Sequence, residues 1–380
     1  MKSGAHIPTL RDAGDLAGVR VVVRLSLNVP ITPLGDIKES FRIEAALSTL
    51  VRLQTARART VIIAHLSNAS ASLRPVHQYL QKTLGPIRFI NHVPFDAGVL
   101  DVGEIALVEN TRRFAGEIEN DQRFAHTIAL GADIFVNDAF ADSHRHHASI
   151  VGVARLLPSY IGPWFESELR ELDRAFLAEH PFELLVGGAK IKSKLPLVKK
   201  FLDSADTVFV GGALSNDLFE AKGYEIGRSL VSPDIDLSDI LNHPRLELPC
   251  DVVITCDGAV RTKKPDALVG RDSIVDIGSQ TLLHIQERIC RARTIVWNGP
   301  MGNTDGGFTD GTEALAKMIA DSAAHSIVGG GDTIAAISKL DAFDRFGFVS
   351  TGGGAMLEYL SGETLPGIEA IREYWKNESK

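Results

Sequence analysis

The stretch LLVGGAKIKSKLPLV, residues 184–198, joins an apolar run to a glycine pair and then to closely spaced lysines. Leu and Val without polar alternation are typical of a strand that is buried on both faces. Glycines after such a strand allow a ligand to approach the backbone closely. Lys190 and Lys194 are four residues apart, so on a following helix they share one face near its positive end. The stretch therefore predicts a buried strand whose carboxyl end meets the phosphates of a ligand.

Apolar runs of similar length recur along the chain, and helix-like stretches separate them. Examples are VRVVVRLSLN (19–28), TVIIAHLSN (60–68), DIFVNDAFAD (133–142), TIVWNGPMG (294–302) and HSIVGGGDT (325–333). This alternation predicts right-handed crossover units in parallel sheets, and therefore an α/β protein. Ligands bind at the carboxyl ends of strands in such sheets, so the residues that close each run are the candidates for function.

The residues that close these runs fall into two groups. Before residue 150 they are largely basic or imidazole side chains, as in SHRHH at 143–147, and after residue 180 they are glycine pairs and triplets. Arginine recognises carboxylate and phosphate in bidentate fashion, whereas glycine turns before helices favour phosphates. We expect two doubly wound parallel-sheet lobes, one binding an anion and the other a nucleotide.

A connecting helix is predicted between the two lobes. The segment GPWFESELRELDRAFLAEHP, residues 162–181, has a helical period, acidic residues early and a proline near each end, which suits a separate helix. The sequence therefore predicts a first lobe at 1–164, a connecting helix and hinge at 165–179, and a nucleotide-binding lobe at 180–354.

The composition excludes several classes of protein. The formal net charge is −8 and the basic residues are spread along the chain, which disfavours a nucleic-acid partner. No apolar segment reaches the roughly 18 residues of a membrane helix, and residues 1–14 lack the apolar centre of a secretory signal. The three cysteines form no CxxC pair, as in a reducing compartment. We expect a cytoplasmic protein that binds small molecules and no membrane. We also expect a monomer, although the composition does not decide the oligomeric state.

The usual phosphate-binding motifs are missing. The chain contains neither GxxxxGK[ST] nor GxGxxG, so a nucleotide would be held in another way. In GGGDT, Asp332 could cap the following helix or hold Mg²⁺ through a nucleotide phosphate, and the two roles are compatible. SHRHH disfavours a metal, because Arg145 would repel a cation and no carboxylate or thiolate completes an evident ligand set. An anion site is the better interpretation there.

Six motifs give the chain a resemblance to the phosphoglycerate kinase family over nearly its whole length. They occur in the family's order and spacing: NVP (28–30), NDAF (137–140), GGAK (187–190) with Lys194, WNGP (297–300), GGGDT (329–333) and STGGGA (350–355). The resemblance implies a hinged two-lobe kinase in which residues 355–380 pack back on the first lobe. It also implies phosphoryl exchange between the carboxyl group of 3-phosphoglycerate, or an analogue, and the Mg²⁺ complex of ADP or ATP.

The resemblance also implies a role for individual residues. Lys190 and Arg24 would stabilise the phosphoryl group in flight, Lys194 would hold nucleotide phosphates during catalysis, and Asp332 would hold Mg²⁺ through those phosphates. The implied acid-binding residues are Asn28, Arg42, His65, Arg112, Arg113, His144 and Arg145. The implied nucleotide-binding residues are Gly188, Ala189, Lys194, Gly211, Gly212, Asn298, Pro300, Asp305, Gly330, Gly331, Asp332 and Thr333.

The acid-binding half departs from the family pattern. In the family's R-x-D-x-N, Ser26 replaces an aspartate that helps to hold the glycerate. In HLGRP, Asn68 replaces an arginine that binds the substrate's remote phosphate. In DAFGTAHR the chain has Asp142 in a turn that is uncharged in the family, and this carboxylate beside Arg145 indicates a substrate with less negative charge or with a positive group.

Two further departures change a cation and an acid. Arg113 stands beside Arg112 where the family usually has an aromatic residue, and it could replace the lost arginine from another direction. Asp305 stands where the family usually has a glutamate for the ribose, seven residues after the asparagine of WNGP.

These departures leave three functions open. The first is phosphoglycerate kinase activity with an altered acid site. The second is a paralogue that phosphorylates a different carboxylic acid in a specialised pathway. The third is a catalytically silent nucleotide-binding homologue, which the retention of Lys190, Lys194 and Asp332 disfavours.

Overall fold

The computed structural model describes residues 6–378; residues 1–5 and 379–380, at the ends of the predicted lobes, lie outside the described residues. The chain forms two compact units. The first unit comprises the residues up to Arg170 together with those from Thr364 onward, and the second comprises Glu171–Glu363. The resemblance implies that residues 355–380 pack on the first lobe, and of these residues 355–363 are part of the second unit.

The first unit is built on a six-stranded sheet. Its strands are β1 (Arg20–Leu25), β2 (Arg59–Ile63), β3 (Arg88–Ile90), β4 (Ile105–Val108), β5 (Ile134–Asp138) and β6 (Ser159–Ile161). Their order is β3-β4-β2-β1-β5-β6, and every neighbouring pair is parallel. Strand β1 lies near the centre and is buried after its first residue, as its continuous apolar run predicts.

The helices of this part of the chain are α1 (Phe41–Thr55), α2 (Arg74–Leu84), α3 (Ala115–Ile118), α4 (Gln122–Ala129) and α5 (Pro163–Ala175). Helix α5 contains the boundary between the units and overlaps the predicted connecting helix. Its amino end is capped by the buried Asp138, which accepts a hydrogen bond from Phe165 N at 2.8 Å.

The second unit contains another six-stranded parallel sheet and a smaller sheet. Its strands are β7 (Phe182–Val186), β8 (Thr207–Val210), β9 (Leu246–Glu247), β10 (Val252–Cys256), β11 (Ala259–Lys263), β12 (Ser273–Ile277), β13 (Thr294–Asn298), β14 (His325–Gly329) and β15 (Phe348–Ser350). The large sheet has the order β15-β14-β13-β7-β8-β9, and β11-β10-β12 form an antiparallel sheet. The predicted pair of parallel-sheet lobes is confirmed, and the antiparallel sheet is an addition that the sequence did not predict.

The remaining helices are α6 (Ile191–Leu202), α7 (Ala213–Ala221), α8 (Ser279–Ile289), α9 (Asp310–Ala320), α10 (Gly331–Lys339), α11 (Gly354–Leu360) and α12 (Pro366–Glu378). Helix α12 belongs to the first unit, where Trp375 Nε1 donates to Ser159 O at 2.7 Å. Gly367 N, at the start of α12, donates to Ser143 O at 2.9 Å. Among the helices of residues 6–378, none is both long and apolar enough to cross a membrane.

Candidate active site

Most of the predicted site residues of the first unit lie at the carboxyl ends of β1, β2, β4 and β5. Arg24 lies near the end of β1, His65 follows β2, and a short 3-10 helix at Phe140–Asp142 follows β5. Because β1 pairs in parallel with both β2 and β5, their carboxyl ends share one edge of the sheet. This edge brings together side chains that are far apart in the sequence.

The carboxylate of Asp142 lies at the centre of this group. Oδ2 accepts a hydrogen bond from Ser26 Oγ at 3.0 Å and lies 3.4 Å from Arg24 Nη2. Oδ1 lies 3.7 Å from His65 Nε2 and 4.0 Å from Arg145 Nε. Burial acts to raise the pKa of Asp142, but its electrostatic interactions with the His65 ring and with the guanidinium groups of Arg24 and Arg145, together with the Ser26 hydrogen bond, outweigh it. The pKa therefore lies below its ordinary value, and the carboxyl group is ionised at neutral pH.

Arg24 is enclosed by the protein, with 0% of the residue exposed. Its Nε donates to Ser149 Oγ at 3.0 Å, and its Nη2 donates to His65 Nδ1 at 2.6 Å. Ser149 Oγ in turn donates to the buried carboxylate of Glu117 at 2.6 Å. The sequence predicts that Arg24 faces the transferred group, whereas the structure directs its guanidinium toward internal partners. These contacts make Arg24 a support for His65 and Asp142.

His65 is neutral in this environment. Burial lowers the pKa of His65 to about 3, and the nearby guanidinium groups act in the same direction against the attraction of Asp142. Because Arg24 donates to Nδ1, the imidazole proton belongs on Nε2, the nitrogen that faces Asp142. The permanent positive charges of the group are therefore those of its arginines.

Several buried side-chain nitrogens at the same edge have no hydrogen-bond partner in the protein. Within residues 6–378, Arg112 Nε, Arg145 Nε and His144 Nδ1 are buried without a hydrogen-bond partner. Burial, followed by repulsion from Arg145, lowers the pKa of both Arg112 and His144. Buried donors without partners are costly, and crowded cations attract a counter-charge. This face is therefore suited to an anion with several acceptor atoms.

Two other predicted acid-binding residues connect the strand ends. Asn28 Nδ2 donates to Ser67 Oγ at 2.8 Å, and Asn28 Oδ1 accepts from Ser67 N at 2.8 Å. Arg42 Nη1 donates to the carbonyl oxygen of Asn28 at 2.8 Å. Asn28 thus fixes the loop after β2 to the end of β1, with both atoms of its amide engaged.

Arg113 lies against the loop that contains Asn68. Its Nη2 donates to Ser70 O at 2.9 Å, and its Nη1 lies 3.3 Å from the buried carboxylate of Glu109. The charge of Arg113 is therefore balanced by Glu109, although the side chain contacts Ser70, two residues from Asn68, the position of the lost arginine.

In the second unit, the glycine turns after β7, β8 and β13 are packed backbone against backbone. Gly187 N donates to Asn298 O at 2.9 Å, and Gly188 N donates to Pro300 O at 2.7 Å. Gly212 has a φ of 61°, and a Cβ there would lie 2.6 Å from Gly188 N. Any larger residue at Gly212 would push these turns apart.

Helix α6 places the two predicted lysines in different environments. Lys194 is buried and its ammonium group donates to Gly187 O. Burial lowers the pKa of Lys194 to about 8, against the attraction of Asp332. Lys190 stands at the amino end of α6 and is exposed. Lys194 is thus a fixed donor beside the glycine turns, and Lys190 is accessible to a ligand.

Helix α10 begins at another glycine turn. Gly330 has a φ of 107°, and a Cβ on Gly331 would meet nothing within 4 Å, so the approach to this turn is open. Thr333 Oγ1 accepts a hydrogen bond from Gly299 N at 3.0 Å, which joins the turn to the end of β13. Asp332 is exposed in the first turn of α10.

The carboxylate of Asp332 has the oxygen chemistry that Mg²⁺ prefers. Within residues 6–378, no three His, Cys, Asp or Glu side chains are grouped so that they could hold a metal together. Asp332 is a single exposed carboxylate that directly follows an open glycine turn. This arrangement is compatible with an Mg²⁺ ion that is bound mainly by nucleotide phosphates.

The other predicted nucleotide-binding residues differ in exposure. Asn298 is 2% exposed and its Nδ2 donates to Met356 Sδ at 3.7 Å, so its amide faces the interior. Gly211 is buried, whereas Ala189 and Asp305 are exposed. Asp305 lies in a turn that is closed by a hydrogen bond from Phe308 N to Asn303 O at 3.0 Å.

Sequence reasoning did not assign Asp142, Ser149 or Glu117 to the acid site. Ser149 and Glu117 carry no motif, because their role depends on the buried guanidinium of Arg24. Asp142 did carry a signal: it is an added carboxylate in the same chain in which Ser26 replaces a carboxylate. The two departures lie 116 residues apart in the sequence, and the structure joins them by a hydrogen bond.

Comparisons of the sequence with known proteins identify relatives over nearly the whole chain. The family model described as phosphoglycerate kinase matches residues 10–363. A phosphoglycerate kinase of Borrelia garinii subsp. bavariensis is 36% identical, with 97% of this chain and 100% of the relative covered. One of Thermomicrobium roseum is 38% identical, with 96% and 99% covered.

Solved structures give the same result. Phosphoglycerate kinase from Coxiella burnetii is 36% identical with a TM-score of 0.80, covering 97% of this chain and 99% of that one. The enzyme from Pyrococcus horikoshii OT3 is 30% identical with a TM-score of 0.84, covering 97% and 100%. With the arginine-rich strand ends of one unit and the lysine-bearing glycine turns of the other, these matches show that the chain belongs to the phosphoglycerate kinase family.

Proposed function

We propose that this chain transfers a phosphoryl group reversibly between ATP and the carboxyl group of 3-phosphoglycerate, giving 1,3-bisphosphoglycerate and ADP. The observation that carries the proposal is the presence in one chain of unpartnered arginine donors in the first unit and a buried lysine among glycine turns in the second. Full-length relatives named phosphoglycerate kinase support the same reaction.

The acid is held by the donors that lack partners in the protein. Arg112, Arg145 and His144 bind its carboxylate and phosphate oxygens, since charge-assisted hydrogen bonds to these groups are strong. Arg24 positions His65 and Asp142 without contacting the acid.

The nucleotide is held by the second unit. Lys194 and the backbone amides at the start of α10 bind its phosphates, and Asp332 binds Mg²⁺, which neutralises charge on the phosphates. Lys190 stabilises the charge on the transferred group, because preorganised cations favour the transition state. The reaction requires that the acid and the nucleotide, which different units bind, be brought together.

The direct test is ADP formation from Mg·ATP by purified protein, with 3-phosphoglycerate varied and hydroxylamine added to trap the acyl phosphate. We expect hydroxamate and ADP to form in equal amounts, and only when 3-phosphoglycerate is present. Turnover with another carboxylate instead would favour the paralogue, and no transfer with any acid would favour a silent homologue. We also propose that the protein is cytoplasmic and monomeric. Light scattering tests the second point and should give the mass of one chain.

The pKa of Lys194 gives an expected pH dependence of ADP affinity. Only the ammonium form pairs with phosphate, so binding above the pKa of about 8 requires proton uptake. We expect ADP affinity to fall about 8-fold between pH 7.5 and pH 9, measured by calorimetry. Lys194→Met should bind ADP more weakly at pH 7.5 and show little change over this range. An equal fall in both proteins would contradict the assignment.

The space around Lys194 can be tested at Gly299. A Cβ on Gly299 would collide with the Lys194 ammonium and with Gly187 O, whereas a Cβ on Gly223 would meet nothing within 4 Å. Both glycines have positive φ, 95° and 81°, so alanine is strained at either position by about 1–2 kcal/mol. We expect Gly299→Ala to weaken ADP binding by about 10- to 150-fold and Gly223→Ala to leave it unchanged. Equal ADP affinities of the two variants would contradict the crowding of Lys194.

A further inference from the structure

An ionised carboxylate inside an anion site requires an explanation. Asp142 is surrounded by Arg24, Arg145 and His65, in the group of strand ends that we assign to the acid. 3-Phosphoglycerate itself carries a carboxylate and a phosphate, and a fixed negative charge repels both. The side chain therefore opposes binding unless it makes a favourable contact with another part of the substrate.

Asp142 has unused capacity to accept a hydrogen bond. An ionised carboxylate has about four lone-pair sites and no donor. Ser26 occupies one site on Oδ2 at 3.0 Å, whereas the neighbours of Oδ1 lie at 3.7 and 4.0 Å, beyond hydrogen-bond length. The side chain is 8% exposed, which leaves a narrow approach to it. The carboxylate can thus accept a hydrogen bond from outside the protein.

The substrate offers one group of the required kind. At neutral pH the carboxyl group of 3-phosphoglycerate is ionised and only accepts, and its phosphate oxygens are mainly acceptors. The hydroxyl group on the carbon next to the carboxylate is the donor. If the buried carboxylate accepts a hydrogen bond from this hydroxyl, the same carboxylate that repels other anions favours acids that carry the hydroxyl.

The position of the carboxylate departs from the family pattern. Ser26 stands where the resemblance implies an acid-holding aspartate, and Asp142 stands in a turn where the resemblance implies no charge. Leu25 and Asp138 are register partners on β1 and β5, so residues 26 and 142 follow neighbouring strands. The hydrogen bond between Ser26 and Asp142 places the carboxylate of Asp142 beside residue 26, so the carboxyl group at this edge has exchanged position 26 for position 142.

We propose that Asp142 is the residue that recognises the hydroxyl group of the acid substrate, and that Ser26 positions its carboxylate. The proposal rests on the proposed function. It names the residue that gives the kinase its specificity for the acid substrate. The site accordingly selects acids with a hydroxyl group beside the carboxylate over acids without one.

The test compares 3-phosphoglycerate with 3-phosphonooxypropanoate, which lacks only that hydroxyl group. We expect the wild-type protein to prefer 3-phosphoglycerate by about 10- to 150-fold in kcat/KM, the usual range for a hydrogen bond to a charged group. In Asp142→Ser the preference should fall below about 3-fold. If Asp142 only balances the charge of Arg24, its replacement lowers kcat/KM equally for both acids, and that outcome overturns the proposal.

The exchange is tested by moving the carboxylate back. Ser26→Asp alone adds a second carboxylate beside Asp142 and should lower kcat/KM for 3-phosphoglycerate by at least about 10-fold, through like-charge repulsion. The double variant S26D/D142S has the same composition as the wild-type protein, and we expect it to regain a preference of at least about 10-fold for the hydroxy acid. A double variant without this preference would contradict the exchange. The double variant still has one carboxylate that can pair with Arg24. It can therefore be measured even if Asp142→Ser is unstable.

Two controls separate this inference from the proposed function. ADP affinity, measured for every variant, reports the integrity of the second unit and should stay within about 2-fold. Calorimetric binding of the two acids to the wild-type protein needs no turnover. Preference for the hydroxy acid in binding without phosphoryl transfer would refute the function and support the role of Asp142. Turnover of both acids without any preference would support the proposed function and refute the role of Asp142.

Discussion

Replacing Lys190 by alanine is expected to lower kcat by about 10³-fold, the usual effect of removing a preorganised charge from a phosphoryl-transfer site. Lys190 is exposed at the amino end of α6, where it can follow the transferred group. The nucleotide phosphates remain with the buried Lys194, so ADP affinity should stay within about 3-fold of the wild-type value. Steady-state kinetics at saturating substrates and calorimetry with ADP measure the two quantities.

Lys192 provides a matched control on the same helix. It carries the same charge and is also exposed, but it lies in the first turn of α6, whereas Lys190 precedes the helix as its N-cap residue. Lys192→Ala should change kcat by less than about 2-fold. Equal losses in the two variants would mean that general positive charge is sufficient, and loss of ADP binding in Lys190→Ala would mean that Lys190 holds the nucleotide.

Replacing Arg24 by alanine is expected to have the largest effect on stability. The change leaves the buried carboxylate of Asp142 without its nearest cation and removes the donor to Ser149. Breaking a buried ion pair costs about 3–5 kcal/mol. Urea unfolding in the presence of ADP should show this loss in the first unit, because the ligand stabilises only the unit that binds it.

Arg20 is the control for this change, since it lies on the same strand and also pairs with an aspartate. The side chains of Arg20 and Asp133 are 38% and 39% exposed, so solvent screens their attraction. Arg20→Ala should therefore cost at most about 1 kcal/mol. If Arg24→Ala lowers the free energy of unfolding by no more than Arg20→Ala does, the burial of Arg24 contributes little to its ion pair.

The strands were largely predictable because the sheets are parallel. A strand that is covered on both faces, such as β1 or β7, needs an uninterrupted apolar run, which is visible without knowledge of its partners. Strand β11 could not be recognised in this way, because most of its residues are exposed. Its position depends on pairing with β10 and leaves only a weak pattern in the sequence.

The candidate site was predictable where the backbone determines it. Gly188 and Gly212 adopt positive φ and pack tightly, and such positions require glycine whatever the rest of the chain does. The direction of a long polar side chain is different, because it depends on partners elsewhere in the sequence. Arg24 and Asn298 were predicted to face ligands, but their partners Ser149 and Met356 lie far along the chain. The roles of these residues in catalysis and binding remain predictions.

The return of α12 to the first unit has a consequence for the order of biosynthesis. The second unit is one continuous segment, so its contacts can form as soon as that segment has left the ribosome. The first unit waits for residues 364–378, including Gly367, whose amide holds the turn with Ser143 beside Asp142. At about 5–20 residues per second, the nascent first unit remains incomplete for roughly 10 to 40 s after its own strands have emerged. During translation, the turn beside Asp142 is therefore secured only after the second unit has been synthesised.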